Sequence, residues 1–111
     1  MSNPGLTFDR LRMRNVERCE GVFRTLKSWS LPDWACAMAG EAGEACNVVK
    51  KIHRGDYIML PNMAKTDLAV KLADVIIYAD LLAARAGIDL GEAVREKFNW
   101  VSHVRGSEVT L

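Results

Sequence analysis

Histidine, cysteine and proline are all scarce in this 111-residue chain, and their scarcity removes several chemistries at once. The three cysteines, Cys19, Cys36 and Cys46, are odd in number and show no C-x-x-C spacing, which argues against a disulfide framework and a thiolate zinc site. Each falls inside a helical pattern, where cysteine behaves as a small apolar residue, and they read as free thiols. The two histidines, His53 and His103, offer no useful metal spacing and no evident partner for a nucleophile. An excess of one charge is missing too. With 15 basic and 14 acidic residues the net charge is +1, without the basic surplus of a nucleic-acid binder. No apolar run reaches the roughly 18 residues of a membrane span, and the opening MSNPGLTFDRLRMR lacks the apolar centre of a secretory signal. The expectation is a cytoplasmic protein that engages neither membrane nor nucleic acid.

What is present is helix. The apolar fraction of 50% supports one core, and residues 1–111 read as a single domain, with 1–6 a loose lead-in and 105–111 a tail. A helical chain this short buries only part of its surface and is a candidate for completion by dimerisation. Thr7 can cap a first helix reaching to about Lys27, because Phe8, Leu11, Val16, Cys19, Val22, Phe23 and Leu26 recur every three or four residues. Ser30 followed by Asp33, with Pro32 between, gives a capping-box start for a second helix, over about Leu31 to His53, that stops at Gly55. Gly55 to Ala64 reads as the longest irregular connection, with Tyr57 to Leu60 suggesting that it packs. A third helix spans about Lys65 to Ala86 and ends at Gly87. A fourth begins at Asp89, with Glu92 completing a second capping box, and runs to about Val104. Nothing reads as a strand, and four helices with short connections predict an all-α, four-helix bundle-like domain.

Helix two carries Glu41 and Glu44, three apart and therefore on one face. Gly40 and Gly43 flank them. Each glycine costs a helix interior about 1 kcal/mol against alanine, and close approach of a backbone or ligand is the expected reason for two. The plain alternative is a pair of solvated glutamates beside a packing surface. On helix three, Asp67, Lys71, Asp74 and Tyr78 share a row, and Asp74 has Ala73, Val75, Ile76 and Ile77 around it. A carboxylate in such surroundings needs a partner. Either a metal or an ion pair with Lys71 one turn away would supply it. Asp67 lies one turn from Lys71, but it stands about 10 Å along the helix from Asp74, too far to make an easy second carboxylate in place of Lys71. Glu41, Glu44 and Asp74 together make a hard-oxygen set of the kind Mg²⁺ takes, alongside waters and phosphates. Such a set suits phosphoanhydride chemistry.

In these motifs the chain resembles the MazG-like family of all-α nucleoside triphosphate pyrophosphohydrolases, related to the helical dUTPases and dCTPases. That family carries E-x-x-E on one helix and E-x-x-D on the next. Glu41-Ala42-Gly43-Glu44 matches the first motif, within Ala39-Gly40-Glu41-Ala42-Gly43-Glu44-Ala45. Leu72-Ala73-Asp74-Val75-Ile76-Ile77-Tyr78 matches the end of the second. The likeness continues through Gly87 to Val94 and Lys97-Phe98-Asn99, covering roughly residues 28–111. It breaks at Lys71, which stands where the family has an acidic metal ligand. The resemblance implies a MazG-type bundle assembled as a homodimer or a dimer of dimers. It also implies Mg²⁺ held by catalytic Glu41, Glu44 and Asp74, and hydrolysis of a nucleoside triphosphate to monophosphate and pyrophosphate in nucleotide-pool housekeeping. Lys97 and Asn99 match its phosphate-contacting region. Trp29 and Trp34 are candidates for stacking on a base, and Tyr78 for lining a base or sugar pocket, with core packing the alternative for each. Phe98 and Trp100 read as core or dimer interface. Lys50, Lys51 and Arg54 complement the dipole at the end of helix two. Lys71 is expected either to weaken the magnesium site or to fill it with its ammonium, pairing with Glu41, Glu44 or Asp74. The second outcome would leave a catalytically weak or inactive helical module that binds nucleotide or protein.

Overall fold

The computed structural model describes residues 5–56 and 61–111, and these contain four α-helices and no strand. The helices are α1 (Phe8–Arg18), α2 (Leu31–His53), α3 (Pro61–Arg85) and α4 (Leu90–Arg105). Thr7 starts α1 by accepting from the Arg10 N–H at 3.0 Å. The helix does not reach Lys27. At Cys19–Phe23 it widens into one π-helical turn, and the chain leaves at Arg24 with φ −164° and ψ 161°. The Arg24 N–H donates to the Cys19 carbonyl at 2.9 Å, closing the wider ring. A 3₁₀ turn, Leu26–Ser28, then leads to α2.

The α2 start is as expected. Asp33 N–H donates to Ser30 Oγ at 3.3 Å, and Ser30 N–H donates back to Asp33 Oδ2 at 2.9 Å. The helix stops where Gly55 takes φ +78°, a conformation that favours glycine. Helix α3 begins at Pro61, four residues before the expected Lys65, because proline lacks only a donor that the first turn leaves unpaired. The expected packing of Tyr57 to Leu60 lies outside the described residues. At α4, Asp89 Oδ1 accepts from the Glu92 N–H at 3.1 Å, while the Glu92 carboxylate turns to Arg95 at 3.5 Å. The expected reciprocal box is therefore only half formed.

Helices α2 and α3 form the principal pair and run antiparallel, since Trp34 faces Tyr78 while Glu44 faces Lys71. Helix α1 packs on α3, and its anchor is polar. Asp80 is 1% exposed, and it accepts from Arg12 Nε at 3.0 Å and from Asn15 Nδ2 at 3.1 Å. Arg12 Nη2 also donates to the Ile88 carbonyl at 2.8 Å, and Asn15 Nδ2 to that of Ile77 at 2.9 Å. The same two α1 residues thereby fix both α3 and the turn into α4.

The apolar core is small. Cys19, Trp34 and Leu81 are buried together, with Leu26, Trp29, Tyr78 and Leu82 packed against them. Helix α4 touches α1 and α3 only lightly. One close point is Gly91, where a Cβ would stand 2.8 Å from Phe8 Cβ, so glycine lets the two helix starts meet. Among the described residues, nothing lies within 4 Å of a Cβ at Gly40 or Gly43, so no backbone of the chain itself makes the close approach there. Their open faces need another occupant if close approach explains them. The radius of gyration is 16.8 Å, against about 13 Å for a compact chain of this length. Val49, Ile52, Val70, Leu72 and Ile76 on the α2–α3 pair, and Phe98, Trp100, Val101 and Val104 on α4, are all exposed. No helix among the described residues is long and apolar enough to cross a membrane.

Candidate functional site

Two features meet at Asp74. The first is a cavity of about 390 Å³ between the end of α1, the start of α2 and the middle of α3. Trp29, Trp34 and Tyr78 supply its rings, with Trp29 and Trp34 centroids 4.7 Å apart and Trp34 and Tyr78 6.4 Å apart. Trp34 is a core residue and a wall residue at once: it is buried, and its Nε1 donates to the Leu26 carbonyl at 3.0 Å. The segment bearing Trp29 is fastened on both sides. Leu26 N–H donates to Glu20 Oε1 at 3.0 Å, and Arg85 Nε to the Trp29 carbonyl at 3.0 Å. The wall is therefore held in shape by its own hydrogen bonds. Asp74 and Ile77 close the α3 side.

The second feature is a charge cluster across the α2–α3 seam, made by Glu41, Glu44, Lys71 and Asp74. Lys71 does not pair with Asp74, its neighbour on the same helix, but reaches over to α2, where its Nζ lies 2.7 Å from Glu44 Oε2. That contact lowers the Glu44 pKa and raises that of Lys71, the hydrogen bond between them being the largest cause of each. Glu41 goes the other way. Burial raises its pKa foremost, then the charges of Glu44 and Asp74 and a hydrogen bond with Glu44, while Lys71 opposes them. Glu41 Oε2 is shut from solvent and has no hydrogen-bond partner among the described residues. A proton or a cation would satisfy that oxygen.

The opposed shifts give a pH signature. Glu41 contributes stability below its unfolded pKa and loses that contribution as pH rises through its raised folded value. Glu44 contributes above its unfolded value and loses it as pH falls through its lowered one. Glu41→Gln is therefore expected to gain stability relative to the parent as pH rises from the carboxylate range to neutrality. Urea midpoints across that range measure this, and superimposable profiles would show that Glu41 ionises normally.

Magnesium can be weighed against these residues. The oxygens suit it in kind, and the stranded Glu41 Oε2 is the sort of atom a cation completes. As they stand, no three His, Cys, Asp or Glu side chains among the described residues converge closely enough to hold a metal ion. Lys71 must leave Glu44 before a divalent ion can use that carboxylate.

The remaining expected residues lie elsewhere. Lys97 Nζ sits 4.6 Å from the Trp100 ring centroid, and Asn99 bonds the backbone of Leu111 twice, at 2.8 and 3.3 Å. Neither lines the cavity. The residues that do, and that sequence reasoning missed, are Asn15, Arg18 and Arg24. The arginines bracket the segment Cys19 to Phe23, but no spacing rule ties them to Trp29. Compared with known proteins, the chain matches no family model, no curated protein and no solved structure.

Proposed function

We propose that this chain binds nucleoside triphosphates in the Trp29–Trp34–Tyr78 cavity, as a pyrophosphohydrolase whose magnesium site is weakened by Lys71. The observation that carries this reading is the double position of Asp74, in the wall of the ring-lined cavity and within the electrostatic reach of Glu41 and Lys71. The volume, about 390 Å³, falls within the range of small-ligand sites. A base beside Trp29 and Tyr78 would direct its phosphates along Asp74 toward the α2–α3 seam.

Glu41, Glu44 and Asp74 would hold the magnesium. When bound, the ion offsets charge on the polyphosphate and lowers the pKa of water. The chain's own residues prepare the rest. The fastened Trp29 segment keeps the rings in place, and Asp74 joins the cavity to the seam. The Lys71–Glu44 contact of 2.7 Å favours a second reading, a helical module that binds nucleotide or protein with little or no turnover.

Pyrophosphate release from a panel of canonical and modified nucleoside triphosphates with Mg²⁺ tests the first reading. Slow release is expected, and Glu44→Ala is expected to abolish it. No release from any substrate, despite nucleotide binding, would leave the second reading.

The assembly we propose is a homodimer or a dimer of dimers. A radius of gyration above the compact value and an exposed apolar face on α4 support it. Light scattering on a sizing column is expected to give at least twice the 12.4 kDa chain mass, falling to one chain for Val104→Asp. A monomeric parent at micromolar concentration would rule the assembly out.

A further inference from the structure

The cavity has a charged rim that neither the carboxylate cluster nor the aromatic wall accounts for. Arg18 and Arg24 both line it, from either end of the π-helical turn. Single π turns recur at functional sites, where they redirect side chains out of a regular helix. Here the turn brings onto one cavity two guanidinium groups that a continued α1 would have carried round the helix. The backbone of Arg24 is pinned twice, its N–H on the Cys19 carbonyl at 2.9 Å and its carbonyl accepting from Cys19 Sγ at 3.3 Å.

Neither guanidinium forms an ion pair or hydrogen bond among the described residues. Other arginines are spent on acids or carbonyls: Arg12 on Asp80, Arg14 on Glu17, Arg54 on Asp56, Arg85 on the Trp29 carbonyl and Arg95 on Glu92. Arg18 and Arg24 instead lie over rings, Arg18 Cζ 5.9 Å from the Phe23 centroid and Arg24 Cζ 4.1 Å from that of Trp29. Their donor forks remain available, and a guanidinium fork matches the oxygens of a phosphate.

From this juxtaposition we infer that Arg18 and Arg24 hold the phosphate of a nucleoside monophosphate in the ring-lined cavity, without a metal ion. The inference rests on the nucleotide reading of this cavity and adds to it a ligand, the monophosphate, and the residues that fix its charge. The charge pattern sets the choice. Within the cavity two arginines face one carboxylate, Asp74, which suits a single phosphate close to the ring. A longer polyphosphate would run on toward Glu41 and Glu44, which repel it unless a cation intervenes. Arg24 now covers a face of Trp29, so a base stacking there displaces the guanidinium toward the phosphate that arrives with it.

The test is equilibrium binding in EDTA, by calorimetry and tryptophan fluorescence, of one nucleoside, its 5′-monophosphate and its triphosphate. The monophosphate is expected to bind about tenfold or more tighter than the nucleoside, as charge-assisted bonds imply, and no weaker than the triphosphate. The double variant R18Q/R24Q is expected to erase the preference over nucleoside while keeping nucleoside binding. R24K is expected to retain part of it, and R14Q, which removes a charge outside the cavity, all of it. Circular dichroism verifies that each variant is folded. Equal binding of nucleoside and monophosphate by the parent, or a preference that survives R18Q/R24Q, would overturn the inference while leaving the cavity a nucleoside site. A parent that binds none of the three overturns the nucleotide reading and this inference together.

Discussion

Lys71→Glu is expected to tighten magnesium binding about a thousandfold and to raise pyrophosphate release with it. The substitution exchanges one positive for one negative charge beside Glu44. Each unit is worth about 1 kcal/mol at 4 Å in a watery environment. Two units acting on a doubly charged ion make about 4 kcal/mol, or roughly a thousandfold in a dissociation constant. The same change has a cost without metal. Glu41, already protonated more readily than usual because of burial and then the charges of Glu44 and Asp74, would lose the lysine that opposes them. The variant should therefore melt lower than the parent in EDTA and recover with Mg²⁺, a linkage that does not depend on turnover. Calorimetry with Mg²⁺ and thermal unfolding with and without it are the measurements. A folded variant whose melting temperature ignores magnesium would mean the cluster is not a metal site and Lys71 is simply a structural clasp.

Asp80→Ala is expected to cost about 3 kcal/mol of stability, read as a shift in urea midpoint at unchanged slope. Removing one member of a buried ion pair strands the other, and here two groups are stranded, the Arg12 guanidinium and the Asn15 amide. Arg12 is 28% exposed and can recruit water, which holds the estimate at the low end of the range for such pairs. Asp80→Asn is a finer probe. It can keep an acceptor for Arg12 but turns an amide toward the Asn15 amide, placing donor against donor, and should fall between parent and Ala. A loss below about 0.5 kcal/mol for Asp80→Ala, the range of ordinary surface changes, would show that α1 is held by its apolar face instead.

The contrast between Asp74 and Asp80 explains what could be read from the sequence. Local chemistry was legible: Ser30 with Asp33, the cap at Asp89, and the ends at Gly55 and Gly87 are decided within one turn, and the structure places helix ends there. The end of α1 was not, because Val22, Phe23 and Leu26 continue the apolar spacing although the chain has already left the helix. The acid most in need of a partner was also misjudged. Asp74 had the more apolar neighbours in sequence, yet it is half-buried, whereas Asp80 is sealed beneath α1. Its partners lie more than sixty residues away, so no window of sequence reveals them. The pairing of Lys71 with Glu44 is one of the partners the sequence offered it, whereas the same limit hid Arg18 and Arg24, which the π turn brings to the cavity that Trp29 lines. Glu41, Glu44 and Asp74, by contrast, lie on two helices that pack together, near enough for the charges of Glu44 and Asp74 to act on Glu41.

The Arg12–Asp80 clasp has a consequence during synthesis. Its two halves are 68 residues apart. At 5–20 residues per second, α1 leaves the ribosome roughly 3 to 14 seconds before its acidic partner exists. Throughout that interval the helix has no surface to pack against, since α3 is still unmade. Its composition suits the wait. Arg10, Arg12, Arg14 and Arg18 keep the segment hydrated and mutually repelling, so the nascent helix stays dispersed until the α2–α3 hairpin emerges and presents Asp80 to it.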